Sequence, residues 1–316
     1  MNNLIKYVHQ QAINYKTEKS IYNIITGKKS HQTFFDAVSL NLLTLFSCAN
    51  HLRFEHYKDI IATTHTSDVK IPTSNVTTYH ELQNTFITLQ LLIQTLSNRK
   101  HHQSMFLPIT SNITIHKTVK HLYHQIKSQN AFQDVENEIY LLFESLSEKQ
   151  PLSVVHYFLS GYQESMYTFT QVGAIHQLDE DTLNVYYYID LLNLYELIQN
   201  SQHFPYLSKC LVYPYVSQTV FNTYRYFRQG LTLNDIANKL KVTTNTIEDH
   251  ILDLYIKGYL SDYTLFLTPF HNEFIKYYQK YPYQKLKHYK SAFDTMSYFE
   301  IKLTIIGISK GVIYVS

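Results

Sequence analysis

Glycine and proline are scarce in this chain, with seven of each in 316 residues, about 4% where roughly 12% is usual. The tight turns of sandwiches, barrels and propellers draw on these two residues, as do the glycine loops of nucleotide-binding α/β folds. A chain so poor in both is left with helices joined by short connections. The expected fold class is therefore mainly α. Hydrophobic residues make up 45% and charged residues 16%, which provides apolar surface for real cores and argues against global disorder. With 29 tyrosines, 18 phenylalanines and no tryptophan, aromatic rings must supply much of the core bulk.

The length suggests two domains. The overall charge of +2 says little about partners, but its distribution says more. Residues 1–120 carry 12 basic and 6 acidic side chains; residues 121–200 carry only Lys127 and Lys149 against 11 acids; residues 201–316 carry 13 basic and 8 acidic. An acidic middle between two basic ends points to a modular chain whose ends are the better phosphate partners. Cys48 and Cys210 are too few and too far apart to staple a chain of this size. The N-terminus MNNLIKYVHQQ has no signal-peptide apolar core. The most apolar stretches, 38–46 and 86–96, are too short and too interrupted to span a bilayer. The expected setting is the cytoplasm, with no membrane partner.

Residues 3–26 read as helical up to Gly27. Ser30 is placed to cap a helix running through Phe34, Val38, Leu42 and Leu45. Residues 63–78 lack helical period and form a loop. Residues 79–97 form a strong helix, with Leu82, Phe86, Leu89, Ile93 and Leu96 on one stripe. A second irregular stretch covers 99–115. Helices resume over 116–200, with breaks near Pro151, Gly173 and Asp179–Asp181. These signals divide the chain into a helical N-terminal region, 1–200, with a possible internal break near 63–78 or 99–115. A linker follows at 200–217, where Pro205 and Pro214 break any helix. The last part, 217–316, is a C-terminal domain.

That last part is dense in start and stop signals. A helix from Ser217 to Arg228 is closed by Gly230. Thr232 caps the next, with Asp235 three residues on in a capping-box arrangement. Ile236 and Leu240 face inward, and Ala237 allows close helix approach. After the turn at Lys241–Val242, Thr243 or Thr244 caps a third helix through Ile247, Ile251 and Leu254, closed by Gly258. Three such helices with a short turn between the last two make a helix-turn-helix unit. Thr268 with Pro269 is expected to start a fourth helix, ended by Pro282. A fifth helix covers 284–293. Ser297 and Glu300 form a capping box for a sixth, stopped at Gly311.

The residues Gly230–Ala237, the run Thr246-Ile247-Glu248-Asp249-His250-Ile251, Gly258 and the stretch Ser297–Lys302 resemble the helix-turn-helix domain found at the C-terminus of many RecQ-type helicases and on separate bacterial proteins of the YpbB type. The likeness covers residues 217–310. A second likeness to YpbB-type proteins lies in Gly27–Thr33 with Asp36. The resemblance implies a non-enzymatic accessory protein in DNA metabolism, repair and recombination, binding a RecQ-type helicase, DNA, or both. Gly27-Lys28-Lys29-Ser30 has the tail of a phosphate loop but lacks its leading glycine and preceding strand. A homodimeric DNA-binding transcription regulator is the alternative reading.

A DNA-reading helix should offer Arg, Lys, Asn or Gln. The third helix instead presents Asn245, Glu248, Asp249 and Asp253, a set better suited to a protein partner or to a purely structural role. The better candidate for DNA contact is the acid-free stretch 276–290, with Lys276, Lys280, Lys285, Lys287 and Lys290 interleaved with Tyr283 and four other tyrosines. The same pattern also fits a solvated lysine face over tyrosines that serve the core. Lysines can meet phosphates there while aromatic faces stack on unpaired bases of single-stranded or forked DNA. A second candidate is Lys28, Lys29 and Gln32 at a helix start. His51, Glu55 and His56 do not match a zinc spacing. His116, His121 and His124 read as surface histidines. No catalytic set, metal or cofactor is expected.

Overall fold

The computed structural model describes residues 1–63, 69–267 and 271–314. Its helices are α1 (Asn2–Ala12), α2 (Glu18–Ile25), α3 (His31–Ser39), α4 (Phe54–Ala62), α5 (Tyr79–Lys100), α6 (Ile113–Ser128), α7 (Phe132–Lys149), α8 (Phe169–His176), α9 (Glu180–Ile198), α10 (Gln218–Arg228), α11 (Leu233–Leu240), α12 (Thr244–Ile256), α13 (Asn272–Lys280), α14 (Leu286–Ala292) and α15 (Tyr298–Ser309), with short 3-10 turns between some of them. Among the described residues, β pairing is confined to a single bridge between Gly161 and Glu164. The fold is all-helical, as the scarcity of turn residues requires.

The chain forms two compact units. The first comprises residues 1–7, 60–72 and 79–212, and the second 8–59, 73–78 and 213–316. The crossing at 212–213 lies inside the expected 200–217 linker. The N-terminal region, however, is shared out: residues 8–59 fold with the C-terminal residues. Thr268 and Pro269, expected to open a helix, lie outside the described residues.

In the first unit, α5 packs on α6 and α9, and α7 and α8 close on α9. Leu82, Phe86, Leu89 and Leu92 of α5 are fully buried, as are Leu183, Tyr188, Leu191 and Leu194 or nearly so on α9. Asn112 caps α6 and Asp179 caps α9, the latter's carboxylate accepting from Thr182 N at 2.9 Å. Gly173 is not a break. It sits within α8, whose end is the left-handed Gln177. A Cβ at Gly173 would come within 3.0 Å of the Leu178 carbonyl, so the glycine serves close approach. Residues 205–212 are not a free linker either. Leu207 and Cys210 are buried, and Glu138 on α7 accepts the amides of Tyr206 and Leu207 at 3.1 and 2.9 Å.

In the second unit, the expected helix over 3–26 is two helices. Residues 13–17 leave the helix, and Thr17 restarts it by accepting from Ser20 N at 3.2 Å. Ser30 caps α3 as expected, accepting from Thr33 N at 3.2 Å. The helix stops at Ser39 because Asn41 turns left-handed at φ 56°; Leu42, Leu43 and Leu45 reach the core from irregular backbone and a 3-10 turn. α3 buries Phe34, Phe35, Ala37 and Val38 and packs against α12 and α15. α12 is the hub, touching α3, α10, α11 and α15. Lys310, at the end of α15, donates to the carbonyls of Ile256 at 2.9 Å and Asn75 at 3.1 Å. Burial pulls its ammonium down to about 8.

Candidate nucleic-acid interface

The three helices α10–α12 are set by local signals that agree with one another. Ser217 caps α10, and Gly230 follows its end at φ 85°. Thr232 and Asp235 exchange both bonds of a capping box on α11. Lys241 takes the left-handed position after α11, and Thr243 caps α12 by accepting from Thr246 N at 3.2 Å. Gly258 ends α12 at φ 79°. Each cap satisfies amides or carbonyls that a helix end leaves bare. Ile236 and Ala237 of α11 are buried where α11 meets α12.

α12 occupies the place of a groove-reading helix, yet it is the least accessible of the three. Of its 13 residues, only Asn245 is exposed as a whole, and the Asp249 side chain keeps 44% of its surface in water. Asp249 is taken up within the unit, with Lys302 Nζ at 3.5 Å and His31 Nε2 at 3.1 Å. Asp253 pairs with Lys257 at 2.7 Å, and that ammonium lies 5.3 Å from the Phe34 ring of α3. Burial pushes the Glu248 carboxyl up, with the Asp249 charge adding to the shift. Burial likewise lowers His31 and His250, which keeps the imidazoles neutral at pH 7. His250 shares a 2.8 Å hydrogen bond with Thr223 of α10, a packing role.

The exposed cations of these helices lie elsewhere. α10 turns Gln218, Phe221, Arg225 and Arg228 to solvent, and Lys239 of α11 and Lys241 are also exposed. Arg225 and Lys239 both sit over the Tyr226 ring, at 5.1 and 4.4 Å from its centroid. Asp235 is the one carboxylate on α10 and α11, and it is engaged with the amide and hydroxyl of Thr232. These cations do not form a lysine-rich run and are not singled out by the sequence reading above. Their sequence signal is an acid-free stretch from 197 to 234 that contains Arg225 and Arg228 among many aromatics.

Residues 219–305 match the family model of a helix-turn-helix domain. This part of the chain is a helix-turn-helix domain. No curated protein and no solved structure matches the chain. Among the described residues, no helix is long and apolar enough to cross a membrane, and no group of His, Cys, Asp and Glu could hold a metal ion.

The helix-turn-helix domain treats the expected DNA-binding residues unevenly. Lys276, Lys280, Lys285 and Lys287 are exposed, and among the described residues none has a carboxylate within ion-pair distance. Lys290 is not available: its ammonium donates to the carbonyls of Asp294 and Met296 at 2.6 and 2.8 Å. The interleaved tyrosines serve the core rather than a stacking surface. Tyr278 and Tyr289 are buried in a cluster with Phe274. Tyr283 leans on Tyr15 at 4.9 Å, and only Tyr281 is exposed. Outside the matched residues, Lys28 and Lys29 are exposed before α3, while Gln32 donates to Asp36 at 2.8 Å. Of the expected partner-binding set, Asn245 is exposed and Asp249 keeps a 44% exposed side chain, while Glu248 and Asp253 are half-buried.

Proposed function

We propose that this chain is a non-enzymatic accessory protein in DNA metabolism that binds DNA through its helix-turn-helix domain and works beside a RecQ-type helicase. The observation that carries the reading is the division of charge in the domain. Arg225, Arg228, Lys239 and Lys241 are exposed and unpaired by carboxylates among the described residues, while Asp249 and Asp253 of α12 are ion-paired inside the unit with Lys302 and Lys257. Exposed cations without acidic neighbours bind phosphates by displacing condensed counterions. The lysines of α13 and α14 add to the same balance. The helicase partner rests on the likeness of the domain to those of RecQ-type enzymes. A homodimeric transcription regulator is the weaker reading, because it needs an open reader helix with basic or amide side chains on each copy, and α12 exposes only Asn245 and the acidic Asp249 side chain.

The test is fluorescence anisotropy with single-stranded, duplex and forked DNA at about 50 and 200 mM salt, the range over which phosphate contacts weaken strongly. Binding that falls steeply with salt is expected. A chain that binds none of the three forms overturns the DNA reading. A purified RecQ-type helicase that fails to retain the chain in a pull-down overturns the partner.

A further inference from the structure

The face of α10 carries more than charge. Ahead of it, Tyr213 is 62% and Tyr215 76% exposed, and Phe221 on the helix is 44% exposed. Large aromatic side chains are costly to leave in water, and these three fall within nine residues of chain. Pro214, between the two tyrosines, accepts from the Tyr259 hydroxyl at 3.4 Å. The Tyr259 ring lies 5.9 Å from Tyr224, and Tyr224 lies 6.4 Å from Phe221. One helical turn beyond Phe221 stands Arg225 over Tyr226, followed by Arg228. The rings of Tyr259, Tyr224 and Phe221 thus follow one another toward a pair of exposed arginines, and the exposed Tyr213 and Tyr215 flank the Pro214 carbonyl that Tyr259 holds. No acidic residue occurs between 197 and 234.

We propose that this track on α10 and the segment before it binds single-stranded DNA, with unpaired bases stacking on Tyr215 and Phe221 and the backbone held by Arg225 and Arg228. The proposal rests on the DNA-binding reading above and assigns it a site and a strand form. Every base has a π-face, so rings that stand free accept bases without regard to sequence, while cations beside them hold the phosphates. A duplex keeps its bases stacked on each other and offers these rings nothing. The site therefore inverts the usual use of a helix-turn-helix: the supporting helix is the contact surface and the reader position is core.

The experiment uses the full chain and four labelled probes: dT20, a 20-residue abasic strand of the same charge, a 20-base-pair duplex and rU20. The wild-type chain is expected to bind dT20 at least tenfold more tightly than the abasic strand or the duplex. The double variant Tyr215→Ala/Phe221→Ala, both on the surface, should lose about 30-fold on dT20 through two lost stacks and bind the abasic strand and duplex as before. Arg225→Gln/Arg228→Gln should weaken all four. Equal binding of dT20 and the abasic strand, or an aromatic variant that binds dT20 like wild type, overturns the stacking site. If duplex binding persists in that case, the broader DNA reading stands. Absence of binding to every probe overturns both. Tighter binding of rU20 than dT20 replaces DNA with RNA as the occupant.

Discussion

α10 and α12 belong to the same three-helix unit and are of similar length, 11 and 13 residues, yet their surfaces are opposites. α10 shows solvent two arginines, a phenylalanine and glutamine and no acid. α12 shows one asparagine and part of Asp249, and it holds Asp249 and Asp253 in contacts with His31, Lys257 and Lys302. The difference comes from what packs on each. α3 and α15 lie against α12, so a helix whose order in the chain marks it as a reader becomes the centre of a core. Connectivity names a helix's place in a motif; burial decides what the helix can touch.

The comparison breaks most sharply if α12 does not need its cover. A fragment of residues 213–316 lacks α3, leaving the apolar surface beneath Phe34, Phe35 and Val38 open. It is expected to lose the cooperative thermal transition of the full chain and to bind a hydrophobic dye. A sharp transition in the fragment would show that the helix-turn-helix domain closes its own core. Next in size, Ile251→Ala in α12, where the side chain is fully buried, should cost about 2–5 kcal/mol in denaturant unfolding. Phe221→Ala on α10 should cost less than about 1 kcal/mol, as exposed sites do.

Charge reversal sharpens the contrast in function. Arg225→Glu/Arg228→Glu should weaken DNA binding tenfold or more and lower the salt slope by about two, one for each lost phosphate contact. Glu248→Gln and Asp249→Asn on α12 should leave affinity within about twofold, since neither faces the ligand in this reading; a large gain from either would put DNA back on α12.

Acid should act on the covered face. His31 and His250 have their folded-state values lowered by burial, so as pH falls below the ordinary histidine value, about 6.5, the unfolded chain takes up protons first. Stability of the second unit is therefore intact above that pH and is lost as pH drops through the lowered values. The double variant His31→Asn/His250→Asn should flatten the decline between pH 7 and 5 in urea titrations. A small effect belongs to the turn after α10. Gly230 stands at φ 85° with nothing within 4 Å of an added Cβ, so Gly230→Ala should cost only the left-handed backbone penalty, about 1 kcal/mol.

Much of this protein was legible because much of it is local. The caps at Ser30, Ser217, Thr232, Thr243 and Ser297 each join residues three apart, and the glycine after α10 stops it through its own backbone. Such signals need no knowledge of the rest of the chain, which is why five of the C-terminal helices stand where the sequence puts them. The missed features are those that depend on distant residues. Lys290 looks like any other lysine in 276–290, but the turn at 293–296 brings two carbonyls to it. The tyrosines between those lysines look like stacking platforms, but Phe274 and Tyr15 claim them. Likewise, the helix expected to run from Ser30 to Leu45 ends at a left-handed Asn41 that its apolar spacing did not announce.

By itself, then, the sequence determined the helical class, the helix-turn-helix signature and the caps at Ser30, Thr232 and Ser297, because these follow from turn-residue supply and from hydrogen bonds between near neighbours. Tertiary structure alone decided that residues 8–59 complete the C-terminal unit, that α12 is covered and α10 is open, and which cations remain free. Those outcomes depend on which apolar faces find each other across more than 200 residues of chain, and residue spacing carries no record of that choice.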